Sequence, residues 1–194
     1  MHMPVVTRPP RRRERTPRPW TRAELERFPR DGNRYEVLDG ELLVTPQANP
    51  PHQRIALVLA LRLEAYCNRL GLAIVFAPGA VPHDESELQP DVQVTPGKPS
   101  DARKGWEGVP RPLLVVEVLS EGSRRYDTGI KRSAYLRWRI TEYWIIDPDA
   151  LTITVARRGQ DDDVRSDIVR WHPAAAPEAL EIDIPDLFRA AIGD

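Results

Sequence analysis

The apolar segment Leu113–Leu119, together with the helix-like segment after it, constrains the fold of this chain most strongly. Its apolar run is interrupted by a single carboxylate, Glu117. A short run rich in β-branched residues is typical of a strand that is buried on both faces in the middle of a sheet. An ionised carboxylate in such a strand is costly unless a cation, a metal or hydrogen-bond donors compensate it. The segment therefore predicts a central strand that carries a compensated carboxylate.

The spacing of the next segment turns a lysine back toward that carboxylate. Asp127, Lys131, Tyr135 and Trp138 follow at intervals of three or four residues, so a helix would carry them on one face. Taken alone, Glu117 and Lys131 are better explained as a buried structural ion pair, because such pairs also occur outside functional sites. Tyr135 and Trp138 at this spacing are likewise more typical of core residues than of a base-stacking surface.

A second carboxylate, upstream of this strand, shifts the balance toward a functional site. The segment Leu88–Val94 alternates between apolar and polar residues, with Asp91 on the polar face. If this strand pairs with the Glu117 strand, Asp91 and Glu117 stand side by side. Two carboxylates beside one ammonium form a hard-oxygen cation site, which suits Mg²⁺-assisted phosphodiester hydrolysis.

The remaining pattern predicts one domain over residues 20–194, in which strands outnumber and flank the helices. Asp39-Gly40 between two strand-like runs is a strong hairpin signal. Prolines at its start and Gly71 after its end delimit a helix over 50–70. The other predicted elements are a short helix capped by Thr21, strands over 72–76, 142–146, 151–155 and 180–184, loops over 97–110 and 158–164, and a helical end over 187–192. The fold class is therefore α/β or α+β with a mixed sheet.

The charge distribution sets the N-terminal region apart. The first 30 residues have a formal charge of +6, whereas residues 31–194 carry −7. Residues 1–19 form a basic arm with almost nothing to bury, so disorder is expected there. A nucleic-acid-binding arm and a solvated leader explain this composition equally well.

Composition also excludes several kinds of protein. The single cysteine, Cys67, rules out an internal disulfide, and no Cys/His spacing suggests zinc. The first residues lack the apolar core of a signal peptide, and the longest apolar run, Ile55–Leu61, is too short to span a bilayer. A soluble, cytoplasmic protein that does not enter membranes is therefore expected.

Five segments of the chain resemble, in order, the Uma family of putative restriction endonucleases: Arg34–Leu42, Gln89–Val92, Val116–Ser120, Asp127–Lys131 and Glu142–Pro148. The resemblance extends from about Thr21 to Val155. That family belongs to the PD-(D/E)xK nuclease superfamily. The resemblance therefore implies a restriction-endonuclease-like mixed central β-sheet flanked by helices, with an N-terminal β-hairpin. It also implies Mg²⁺-dependent cleavage of DNA, with Mn²⁺ as an alternative metal.

The chain departs from the superfamily pattern at the lysine. In that pattern the lysine follows the acidic residue by two positions, where this chain has Leu119. The resemblance implies that Lys131, on the following helix, takes its place. The chain has 25 Arg and only three Lys, and an arginine would satisfy a purely structural pair. A guanidinium, however, cannot assume every role of an amine near a water molecule.

The resemblance and the residue pattern together predict the site. Asp91, Glu117 and Lys131 are the catalytic candidates, and Mg²⁺ is expected between Asp91, Glu117 and the Val118 backbone carbonyl. The metal would polarise a phosphoryl oxygen and lower the pKa of a bound water. Lys131 would orient that water or stabilise charge that develops in the transition state.

Other polar residues are secondary candidates. Glu36 and Glu41 lie near the hairpin turn, where a solvated carboxylate is the default, although Glu41 or a neighbour could bind metal through water. His52 is a candidate phosphate contact, but an exposed residue at a helix start is the simpler explanation. Asp127 completes the secondary set. The candidate phosphate contacts, which a solvated charge run explains almost as well, are Arg124, Arg125 and Arg132.

The expected function is therefore Mg²⁺-dependent hydrolysis of DNA phosphodiester bonds. Two alternatives stay open: a catalytically inactive nucleic-acid-binding module on a nuclease scaffold, and a metal-dependent phosphoesterase that acts on small substrates. Fold analogy alone does not separate them. A symmetric homodimer is the base-rate expectation for an enzyme that cuts two strands.

Overall fold

The computed structural model describes residues 18–193 and shows the mixed α/β fold that the sequence predicts. Its strands are β1 (Arg34–Leu38), β2 (Glu41–Thr45), β3 (Ala73–Phe76), β4 (Val81–His83), β5 (Ser86–Leu88), β6 (Val92–Pro96), β7 (Leu114–Val118), β8 (Glu142–Asp147), β9 (Thr152–Ala156), β10 (Asp163–Arg165), β11 (Ile168–Trp171) and β12 (Leu180–Asp183). Its α-helices are α1 (Pro50–Leu70), α2 (Arg132–Arg137) and α3 (Ile184–Ile192). The predicted basic arm lies outside the described residues up to position 17.

The central sheet has the strand order β10-β9-β8-β7-β6-β3. Only the β7–β8 pair is parallel among the strand pairs of this sheet, and the segment between those two strands contains α2. In the middle of the sheet, Val116 lies opposite Val92 on one side and Trp144 on the other. Every residue of β7 is buried, as its apolar run predicts.

Helix α1 covers one face of this sheet. Its stripe of Ile55, Leu59 and Leu63 packs with Val116 and neighbouring apolar residues of the sheet in the larger of two core clusters. The helix begins where the Asn49 side chain accepts a hydrogen bond from the His52 amide, 2.9 Å away. It ends at Gly71, whose φ of 64° is a left-handed conformation that glycine adopts at little cost.

The other face of the central sheet carries the predicted hairpin and the helix that follows β7. The hairpin β1–β2 is part of a four-stranded antiparallel sheet in the order β2-β1-β5-β4. Helix α2 is preceded by a π-helical turn, Tyr126–Lys131. Apolar residues of this sheet, of α2 and of the second face of β7 and β8 form the smaller core cluster. Alternate β7 residues therefore serve different layers, and Glu117 faces this second layer.

Several boundaries differ from those predicted. The segment Leu88–Val94 is divided between β5 of the hairpin sheet and β6 of the central sheet, and Asp91 lies immediately before β6. The helix capped by Thr21 is a 3-10 helix, Arg22–Arg27. The predicted acidic loop contributes its last residues to β10, because Asp163–Arg165 pair with the edge of β9. Polarity in an edge strand resembles that of a loop, so the pattern did not reveal it.

Three other elements were not predicted as they occur. Strands β4 and β11 were missed, and helix α3 begins at Ile184, three residues before the predicted start. Asp183 caps α3 by accepting a hydrogen bond from the Asp186 amide at 2.7 Å. Within residues 18–193, no helix is both long and apolar enough to cross a membrane.

Candidate active site

A buried cluster of charged side chains lies between the central sheet and the hairpin sheet. The ammonium of Lys131 is 2.7 Å from Glu36 Oε2, 3.2 Å from Glu117 Oε1 and 3.3 Å from Asp127 Oδ1. All four side chains are at most 1% exposed. We call these four residues the Lys131 cluster.

Three different elements build the Lys131 cluster. Glu117 projects from β7 into the second layer, and Glu36 projects from β1 of the hairpin sheet. Asp127 and Lys131 lie four residues apart in the π-helical turn. Hydrogen bonds fix the carboxylates: the Gln89 amide donates to Glu36 Oε1 at 2.7 Å, and the Tyr135 hydroxyl donates to Glu117 Oε1 at 3.1 Å. The cluster therefore joins the two sheets and the helical segment.

Asp91 lies beside this cluster with three polar partners. The Val118 amide donates to Asp91 Oδ2 at 2.9 Å, which ties Asp91 directly to the strand that carries Glu117. His52 Nε2 is 3.0 Å from the same oxygen. The other oxygen, Oδ1, accepts a hydrogen bond from Arg34 Nη2 at 2.8 Å.

Arg34 links Asp91 to Glu117. Its Nη1 lies 3.8 Å from Glu117 Oε2, the carboxylate oxygen that Lys131 and Tyr135 do not contact. The same Nη1 donates to the Gln89 carbonyl at 2.9 Å. One cation thus reaches an oxygen of each of the two predicted metal ligands.

The site has more buried negative charge than positive charge. The site has four buried carboxylates, three in the Lys131 cluster and the fourth on Asp91. Among residues 18–193, only two permanent cations, Lys131 and Arg34, lie against them. Fully ionised, these six groups sum to −2, before any charge on His52. Buried net charge is costly, so protons or an added cation must compensate part of it.

The pKa shifts follow this imbalance. Burial raises the pKa of Glu117 well above its ordinary value, and the neighbouring carboxylates add to a rise that Lys131 only partly offsets. Burial also raises the pKa of Asp127. Burial would raise the pKa of Asp91 too, but the hydrogen bond from His52 and the charge of Arg34 outweigh it and hold that pKa well below the ordinary range. Asp91 therefore stays ionised more readily than Glu117 or Asp127.

The two cations are held in their charged forms. Burial alone would lower the pKa of Lys131, but Glu117, Glu36 and Asp127 outweigh it, so its pKa is raised. The same balance of burial against Asp91, Glu117 and Glu36 raises the pKa of Arg34. Neither side chain is a proton donor near neutral pH as it stands here.

A cavity opens on this site. Its volume is about 700 Å³, and Arg34, His52 and Asp91 are among its lining residues. The side chain of Arg34 is 25% exposed, whereas that of Asp91 is 4% exposed. Access to the carboxylates from solvent therefore passes Arg34.

The secondary candidates have different outcomes. His52 is buried against Asp91 instead of exposed, and its Nδ1 has no hydrogen-bond partner in the protein. Asp127 belongs to the Lys131 cluster. Glu41 is exposed at the start of β2 and forms no hydrogen bond or ion pair with the Lys131 cluster, whereas Glu36, expected to be solvated, is fully buried. The expectation of solvent exposure was therefore wrong for both His52 and Glu36, and the role of His52 as a phosphate or substrate contact stays a prediction.

Two of the three arginines proposed as phosphate contacts already have carboxylate partners. Arg124 forms a bidentate pair with Asp147, at 2.6 and 3.0 Å. Arg132 pairs with Asp162. Arg125 is exposed and has no ion-pair partner among residues 18–193. Of the three, Arg125 is thus the one whose charge is available to a phosphate without breaking an ion pair.

The position that the superfamily pattern reserves for lysine is apolar in this chain. Leu119 is buried in the smaller core cluster. Lys131 instead enters from the π-helical turn, so the ammonium reaches Glu117 from the second layer and not from the same strand.

Sequence reasoning missed two members of the site, Glu36 and Arg34. Both lie on β1 and are two residues apart, so they point to the same face of that strand. This spacing was the available signal. It could not show that this face meets Lys131 and Asp91, because those contacts join segments more than 50 residues apart.

A mixed sheet with a carboxylate–lysine cluster beside its central strands defines a restriction-endonuclease-like fold. The family model described as "Putative restriction endonuclease" matches residues 22–187, and the chain belongs to this family, Uma2. A crystal structure of a putative nuclease from Anabaena variabilis ATCC 29413 has the same fold, with a TM-score of 0.73 at 22% identity. That comparison covers 90% of this chain and 100% of the other. No curated protein has significant sequence similarity to the chain.

Proposed function

We propose that this protein is a metal-dependent endonuclease that hydrolyses DNA phosphodiester bonds. One observation carries the proposal: four buried carboxylates outnumber their two permanent cations, and one of the four, Asp91, lines a cavity of about 700 Å³. A divalent cation would cancel the excess charge of −2. Membership of a family of putative restriction endonucleases supports a nucleic-acid substrate.

The oxygens of the site have the chemistry that Mg²⁺ or Mn²⁺ requires. Asp91 and Glu117, with the Val118 carbonyl, would hold the ion, since hard divalent cations prefer carboxylate and carbonyl oxygens. Within residues 18–193, no group of three or more His, Cys, Asp or Glu side chains forms a metal site, so the proposed ion would have only two side-chain ligands. Such an ion would supply Lewis-acid stabilisation of the phosphoryl group and an acidified water.

The neighbouring residues would keep the two ligands charged and oriented. Lys131 and Tyr135 hold Glu117 Oε1, which leaves Oε2 on the side of Arg34, the cation that also contacts Asp91. His52 and the Val118 amide hold Asp91 Oδ2. In this arrangement Lys131 is a positioning residue. Lys131 could orient the attacking water only if its ammonium moved from the three carboxylates toward the cavity.

DNA would approach through the cavity. Arg34 and Arg54 line it, and Arg125 is an exposed cation on the segment before the Lys131 turn. Guanidinium groups bind phosphate oxygens strongly because their donors match the spacing of two oxygens. These contacts would position the backbone without reading the base sequence.

The experiment is cleavage of labelled DNA with Mg²⁺, Mn²⁺ or EDTA by the wild type and Asp91→Asn. The substitution removes one ligand charge while it keeps the side-chain shape. Cleavage should fall by orders of magnitude, because the metal contributes several kcal/mol to the transition state. DNA affinity should stay similar or rise, since a negative charge leaves the cavity. Asp161→Asn, in an exposed loop, is the matched control and should cut like the wild type.

The outcomes separate the alternatives. A DNA-binding module would bind DNA but show no metal-dependent cleavage in either protein. A small-substrate phosphoesterase would hydrolyse model phosphoesters and have no measurable DNA affinity. Equal cleavage by the wild type and Asp91→Asn would show that the assigned site is wrong.

A further inference from the structure

The guanidinium of Arg34 lies between the two carboxylates proposed to hold the metal. It is 2.8 Å from Asp91 Oδ1 and 3.8 Å from Glu117 Oε2. These two carboxylates repel each other when both are ionised, and each contributes to the raised pKa of Arg34. Arg34 therefore performs, in the metal-free protein, the charge compensation that a divalent cation would perform.

A divalent cation and Arg34 would compete for the same oxygens. An ion that binds Asp91 and Glu117 carries twice the charge of a guanidinium and contacts the oxygens at about 2.0–2.6 Å. It would also repel the guanidinium at short range, where the dielectric screening of a buried site is weak. Binding of the ion therefore favours displacement of Arg34 from its bridging position.

The surroundings leave room for Arg34 to move. Its side chain is one-quarter exposed and lines both the 700 Å³ cavity and a second cavity of about 520 Å³. Arg34 is the first residue of β1, and Gly32 and Asn33 before it are exposed. The cavity that Arg34 lines therefore offers space into which its side chain can turn.

We propose that Arg34 exchanges between two anionic partners. In the metal-free protein it bridges Asp91 and Glu117; when a divalent cation binds there, it turns into the cavity and binds a DNA phosphate. The inference rests on the proposed function and adds a residue that couples metal loading to DNA binding. The planar fork of arginine suits both partners, since carboxylate and phosphate present two oxygens at similar spacing.

Metal titration in the absence of DNA tests the first half of the proposal. Mn²⁺ affinity is measured by calorimetry for the wild type, Arg34→Met, Arg34→Lys and a control, Arg137→Met. Arg137 pairs with Asp39 on the surface, so its replacement removes the same charge away from the site. Arg34→Met should bind Mn²⁺ roughly tenfold to hundredfold more tightly than the wild type. It should also have a lower Tm without metal and a larger rise in Tm with Mn²⁺.

The lysine variant and DNA binding extend the test. Arg34→Lys keeps the charge but loses the fork, so its Mn²⁺ affinity should lie between those of the wild type and Arg34→Met. If Arg34→Met does not fold, the lysine variant alone decides the question. The anisotropy of a labelled DNA duplex, read before cleavage begins, should show several-fold weaker binding by Arg34→Met with Mn²⁺. With EDTA the loss should be small, because Arg34 then contacts carboxylates.

The outcomes distinguish this proposal from the proposed function. If the wild type binds Mn²⁺ and cuts DNA, but Arg34→Met and Arg34→Lys keep wild-type Mn²⁺ affinity, only the exchange is overturned. A loss of DNA affinity that is equal with Mn²⁺ and EDTA overturns it as well. If neither the wild type nor any variant binds Mn²⁺ and no DNA is cut, the exchange and the proposed function both fail.

Discussion

Replacing Lys131 with methionine should destabilise the metal-free protein by about 3–5 kcal/mol at neutral pH. Methionine keeps most of the side-chain volume but removes the ammonium that lies between 2.7 and 3.3 Å from Glu36, Glu117 and Asp127. Each of these carboxylates is at most 1% exposed, so water cannot take over the role of the lysine. The variant therefore leaves three buried carboxylates without their shared cation.

The cost should depend on pH. Burial raises the pKa of Glu117 and Lys131 lowers it, so removing Lys131 raises this pKa further. The folded variant would then bind protons more tightly than the unfolded chain, and its stability would fall as pH rises. Relative to the wild type, the loss should be largest near pH 8 and should shrink toward about pH 5, where the carboxyls are protonated at little cost.

Urea unfolding at these two pH values measures the effect. Lys98→Met is the matched control, because Lys98 is exposed and its loss should change the free energy of unfolding by less than about 0.5 kcal/mol. Adding Glu36→Gln to Lys131→Met should recover part of the loss, since one uncompensated carboxylate is removed. A loss below about 0.5 kcal/mol at pH 8, or one that is the same at both pH values, would refute this account of the cluster.

The remaining predictions each concern one buried or capping residue. Burial and neighbouring carboxylates raise the pKa of Glu117, so the metal-free protein should lose stability as pH rises above the ordinary glutamate range. Urea unfolding should show a weaker pH dependence for Glu117→Gln. The lowered pKa of Asp91 has the opposite sign, and its contribution is lost only as pH falls below the ordinary aspartate range. Burial raises the pKa of the Cys67 thiol to about 12, so a thiol reagent at pH 8 should label it only in denaturant. Asn49→Ala should cost about 1 kcal/mol in thermal unfolding, because it removes the cap on the His52 amide; no change in Tm would show that the cap is not needed.

The sequence predicts those parts of the fold that local pattern determines. The hairpin β1–β2, the bounds of α1 and the buried strand β7 follow from Asp-Gly, from prolines with Gly71, and from an apolar run. Each of these sequence signals lies inside the element that it predicts or directly at its end. The polar edge strand β10 and the short strands β4 and β11 lack such a signal, since pairing with a neighbouring strand forms them.

The candidate site was predictable only in part, for a related reason. Asp91 and Glu117 were proposed because paired strands were expected to bring them together, and the Val118 amide of β7 does donate to Asp91. Lys131 was proposed from helical spacing, and its ammonium contacts Glu117. The role of the three residues as a site stays a prediction. Glu36 and Arg34 approach from another sheet, and no local pattern shows which face of the hairpin meets the central sheet. A buried residue such as Glu36 next to a turn has the same sequence signature as a solvated one.

The charged site is also the junction between the two sheets, so the hairpin would have a direct role in the proposed chemistry. Glu36 accepts a hydrogen bond from the Gln89 amide through one oxygen and contacts the Lys131 ammonium through the other. Strand β1 is therefore tied both to the segment before β6 and to the ammonium. Arg34, two residues earlier, lies 2.8 Å from Asp91 Oδ1 and 3.8 Å from Glu117 Oε2. A change in the hairpin would therefore alter metal affinity and stability together. Apolar residues of similar volume would often stabilise such a buried contact equally well. Stability alone therefore does not explain why this junction is charged, whereas binding of a cation there would explain it.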